Sequence, residues 1–75
     1  MTGYILILTS ITYVNKAKYL LAQNNIKSNI VKLHATIERR GCGYGLEIKE
    51  NYLHVSVSII ENCKIKIVEI VKNDN

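Results

Sequence analysis

Tyr52-Leu53-His54-Val55-Ser56-Val57-Ser58-Ile59-Ile60 is the stretch on which the fold turns. Leu53, Val55, Val57 and Ile59 alternate with His54, Ser56 and Ser58. That is the period-two pattern of a half-buried strand, and its β-branched residues favour extended backbone. The same residues carry a second pattern. Leu53, Val57 and Ile60 fall on one face of a helix, with Asn51 placed to cap it and Glu61-Asn62 to close it. Local propensity favours the strand. The order of the other elements favours the helix, because strand–helix followed by strand–strand–helix–strand closes into a two-layer sandwich.

Working outward, Ile65 to Val71 is the clearest strand in the chain, and Asn73-Asp74-Asn75 reads as a disordered tail. On the other side, Leu46-Glu47-Ile48 reads as a strand preceded by Gly41-Cys42-Gly43-Tyr44-Gly45, and His34 to Arg40 as a loop. Ser28 to Leu33 forms a strand on the strength of Ile30, Val31 and Leu33. The first helix is marked by Val14, Ala17, Leu20 and Leu21 at helical spacing, with Thr9, Ser10 and Thr12 as N-cap candidates. Asn24-Asn25 ends it, since Asn tolerates the left-handed backbone of a helix C-terminus. Tyr4 to Thr9 is a continuous apolar run, so it predicts a central strand buried on both faces.

Seventy-five residues make one domain, 1–75, with a single small core. Such a chain is marginally stable alone, so a homodimer or a partner is a sensible expectation. A large cleft would consume too much of the core, whereas one reactive group on a loop would not. The net charge of +4 is spread along the chain, with only Arg39-Arg40 clustered. Nucleic-acid binders concentrate basic charge on one face and add stacking aromatics, so no nucleic acid is expected. No run approaches the roughly 20 apolar residues of a membrane span, and the opening lacks the marks of a signal peptide. A cytoplasmic location follows by default, where the two cysteines would be free thiols.

One of those thiols stands out. Cys42 lies among Gly41, Gly43 and Gly45, whose backbone N–H groups can converge on a small anion. Arg39 and Arg40 precede it closely enough to favour the nucleophilic thiolate, and Tyr44 flanks it. Such a place suits a persulfide or selenide. The simpler alternative is a tight glycine turn holding a small residue that happens to be cysteine. Cys42, Cys63, His34 and His54 lack the spacing of a zinc site, no phosphate-binding loop is present, and no metal or cofactor is expected.

With Thr9-Ser10, Lys16-Ala17, Asn25-Ile26 and above all Gly41-Cys42-Gly43-Tyr44-Gly45-Leu46, the chain resembles the small bacterial selenium/sulfur carrier proteins. The resemblance runs nearly end to end, although this sequence has no prolines before the cysteine, where many members do. It implies an α+β ferredoxin-like sandwich (βαββαβ), with two helices on one face of an antiparallel sheet and the second helix over 51–62. It also implies that Cys42 is the carrier thiol. The chain would then be a stoichiometric carrier rather than an enzyme, taking sulfur or selenium from a cysteine desulfurase or similar donor and relaying it to an acceptor enzyme. An ACT-like small-molecule-binding module or a protein-interaction module, without covalent chemistry, is the alternative function for such a fold.

Overall fold

Residues 2–33 and 43–74 are described by a computed structural model. In chain order they form β1 (Thr2–Leu8), α1 (Ile11–Gln23), β2 (Asn29–Lys32), β3 (Tyr44–Lys49), a 3₁₀ turn (Glu50–Tyr52), α2 (Leu53–Asn62) and β4 (Ile67–Asp74). The strands make one antiparallel sheet in the order β2-β3-β1-β4.

Residues 53–62 are helical, and the burial pattern shows why. A strand would place Val55 with Leu53, Val57 and Ile59 on one face. The helix leaves Val55 44% exposed and fully buries Ser56 and Ile60. Ile60 joins Leu6, Leu8, Leu46 and Ile48 of the sheet and Val14, Ala17 and Leu21 of α1 in one core. Because those strand residues share one parity, both helices cover the same face. At about 25 cal/mol per Å², this burial outweighs β-propensity differences that span about 1 kcal/mol.

β1 is central and its Leu6, Ile7 and Leu8 are all fully buried, as a continuous apolar run requires. Ile7 points away from the helices, on the face that also carries Ile5, Val31, Leu33 and Val71. Two boundaries correct the sequence reading. β3 begins at Tyr44 rather than Leu46, so Tyr44 and Gly45 belong to the sheet. The chain end is not a disordered tail from residue 73: β4 runs to Asp74, Asn73 pairs with Gly3, and the Asn73 side-chain amide donates to Glu47 Oε2 across β1.

Both helices stop in the same way. Asn25 and Lys64 take left-handed backbone at φ 61°, and the next residue turns inward as buried Ile26 or Ile65. Ile26 N–H donates to Leu21 C=O at 2.9 Å and Ile65 N–H to Ile60 C=O at 3.3 Å, closing a Schellman turn at each end.

Candidate functional site

The segment carrying the candidate thiol is held at its base by the β2–β3 ladder. The last rung pairs Lys32 with Tyr44, and beyond it Leu33 N–H donates to Gly43 C=O at 2.9 Å. Arg39, Arg40, Gly41 and Cys42 lie between these anchors and outside the described residues, as does His34. The structure therefore places the residue that follows Cys42 and the strand that receives it.

Gly43 has φ 87°, a conformation that L side chains rarely adopt, so glycine is required here by geometry. Its half-buried position makes it the pivot on which the chain enters β3. Gly45 has a different role from the anion donor expected of it. It pairs with Ile7 on one side and Val31 on the other, inside the sheet. A Cβ there would come within 2.4 Å of Ile5 Cγ2 and 3.2 Å of Leu33 Cδ2. Gly45 is thus a packing position that lets Ile5 and Leu33 meet over the strand. Tyr44 is exposed on the sheet's helix side, one residue from the pivot.

The topology brings further groups to this end of the sheet. Ile7 lies opposite Gly45 and Leu8 opposite Ile67, so the end of β1 and the starts of α1, β3 and β4 share one edge. Ser10 caps α1, its Oγ accepting from Tyr13 N–H at 3.2 Å. The Ile11 and Thr12 N–H groups have no intrahelical acceptor, and the first turn holds no acidic residue to offset their partial positive charge. Lys32, exposed, stands one rung from the closing bond. The sequence reading did not assign Lys32 or the start of α1 to the site. Ser10 was legible as a cap, but that α1 begins at the end of the sheet where β3 starts depends on strand order, which no local pattern carries.

Cys63 is exposed at the C-cap of α2, and His54 is exposed on that helix. Among the described residues no three of His, Cys, Asp and Glu are grouped to hold a metal ion, and no helix is long and apolar enough to cross a membrane.

Among the described residues, the fold defines a class: a small α+β chain with two helices on a four-stranded antiparallel sheet, in which α1 starts from a side-chain cap. No protein family, curated protein or solved structure matches this chain.

Proposed function

We propose that the chain is a cytoplasmic sulfur or selenium carrier of the selenium/sulfur carrier type, with Cys42 as its acceptor thiol. The observation that supports this reading most is the shared edge. Cys42 immediately precedes Gly43, and Gly43 adjoins the end of the sheet at which α1 begins. A helix N-terminus and nearby cations favour a thiolate, which is the form that accepts sulfur. Lys32 adds to Arg39 and Arg40 as a source of positive charge, and Gly41 and Gly43 add little side-chain bulk. The ferredoxin-like arrangement belongs to the same proposal, supported by the strand order β2-β3-β1-β4 with a helix following β1 and β3.

In the transfer step the Cys42 thiolate attacks the terminal sulfur of a donor persulfide. The donor's S–S bond breaks, the donor cysteine leaves as a thiolate, and Cys42 carries the persulfide. No external oxidant or reductant is consumed. An acceptor enzyme reverses the roles.

Incubation with a cysteine desulfurase and cysteine, followed by intact-mass and peptide analysis, tests this. One reducible sulfur per chain is expected on Cys42. Cys42→Ser should abolish the gain and Cys63→Ser should leave it. Arg39→Ala with Arg40→Ala should slow loading without removing it. Loading that persists in Cys42→Ser overturns the assignment.

A further inference from the structure

Leu33 is buried where the strand that leads to it has already ended. β2 stops at Lys32, yet the next side chain is only 5% exposed, and its backbone N–H donates to Gly43 C=O at 2.9 Å. Gly43 follows Cys42 directly, so this bond fixes the point from which the chain leaves for the thiol. A single bond at a strand end opens readily unless side-chain packing holds it closed. Gly45 supplies the packing. It stands opposite Val31, on the diagonal from Leu33. Leu33 Cδ2 lies 3.2 Å from the place a Cβ of residue 45 would take, and the Leu6 carbonyl oxygen 3.3 Å from it. The Leu33 side chain thus rests on bare backbone, beside Ile5. Leu33 and Ile7 are buried on the face of the sheet away from the helices, apart from the main core of Leu6, Leu8, Leu21 and Ile60. What Leu33 holds is therefore separable from what holds the helices.

We propose that Leu33 is a positioning residue for Cys42: its side chain, seated on Gly45, keeps the bond from Leu33 to Gly43 closed and so fixes the left-handed pivot through which the chain reaches the thiol. The inference rests on the carrier reading in taking Cys42 as the acceptor. Gly43 and Gly45 then serve one end, since the first turns the chain and the second seats the side chain that holds the turn. With the pivot closed, the chain stays at the edge that it shares with Lys32 and the start of α1. Positive charge and a helix N-terminus both favour a thiolate, so opening the pivot should weaken that influence.

The test is the rate at which iodoacetamide alkylates the full chain between about pH 5 and about pH 9, in a Cys63→Ser background so that Cys42 alone is read. Leu33→Ala should move the midpoint of that profile upward and slow alkylation at neutral pH by about threefold to tenfold. Leu33→Met, which keeps the volume, should restore the wild-type profile. Val57→Ala, a truncation against the main core, should lower the denaturation midpoint and leave the profile where it was. Circular dichroism checks that each variant folds. Should Leu33→Ala fail to fold, Leu33→Val reads the same direction with a smaller shift. An unmoved profile in a folded Leu33→Ala or Leu33→Val variant overturns the proposal. So does an equal shift in Val57→Ala, which would trace the effect to general loosening, or a Leu33→Met variant that behaves like Leu33→Ala. Sulfur loading from a desulfurase, measured on the same proteins, separates the two readings. A wild type that takes no sulfur while Leu33→Ala shifts the profile counts against the carrier and supports the positioning role.

Discussion

The two described helices, α1 and α2, end alike and begin differently. α1 and α2 both close in a left-handed residue followed by a buried isoleucine, Ile26 or Ile65. At its start α1 has Ser10, whose side chain accepts from the first turn. α2 has Tyr52, which supplies no side-chain cap, and it is entered through a 3₁₀ turn. Inside, α1 buries an apolar set at helical spacing, Val14, Ala17 and Leu21. α2 buries Ser56 and Ile60 and is otherwise rich in β-branched residues that favour strands. α1 is therefore specified by local signals that agree with one another. α2 is held by the core it covers and by its C-terminal turn, because its own sequence argues for another conformation. A helix of ten residues is marginal in isolation even with good formers, so tertiary contact has to decide.

The largest expected effect lies where the helix and strand patterns of α2 disagree. Ile60→Ala should cost about 2–5 kcal/mol as a core truncation, whereas Val55→Ala should cost under about 0.5 kcal/mol. Chemical denaturation of both variants decides it, and a Val55 penalty matching that of Ile60 would break the comparison between the helices.

Ser56 sharpens the comparison from inside the core. Its side chain is fully buried and its Oγ has no hydrogen-bond partner among the described residues. Ser56→Ala removes that unsatisfied group at nearly equal volume and raises helix propensity, so it should stabilise by about 1–2 kcal/mol. Ser58→Ala, on the exposed side, should gain only about 0.5 kcal/mol. Equal gains would mean that the Ser56 hydroxyl is satisfied in solution. At the start of α1, Ser10→Ala should cost about 1 kcal/mol, the worth of an N-cap, visible as a lower denaturation midpoint. No residue preceding α2 should show such a loss when truncated.

The smallest effect is at the ends the helices share. Lys64 pays for its left-handed backbone with a side chain that gains nothing there, while Asn25 suits that conformation better. Lys64→Gly should stabilise by about 0.5–1 kcal/mol and Asn25→Gly by a few tenths, both read from thermal or denaturant melts.

The site was legible in unequal parts. Gly43 was visible as a glycine in a turn, and its φ of 87° gives the reason. Gly45 looked equivalent, three residues from Cys42, but its meaning comes from Ile5 and Leu33, which approach it from other elements. Lys32 and the start of α1 carry no motif pointing to Cys42. They reach the same edge only because β3 inserts between β2 and β1 in the sheet.

By itself, the sequence determined α1 with its Ser10 cap, the central place of β1, and the existence of four strands. In each case hydrophobic pattern, propensity and capping residues point the same way, and those are properties of neighbours in the chain. Tertiary structure decided the helix at Leu53–Asn62, the extension of β4 to Asp74, and the role of Gly45. Local signals there are divided or absent, and free energy is gained only when distant surfaces meet. Ile60 turns into the core built by α1 and the sheet, Asn73 finds Gly3 and Glu47, and Ile5 closes over Gly45, where no Cβ intervenes.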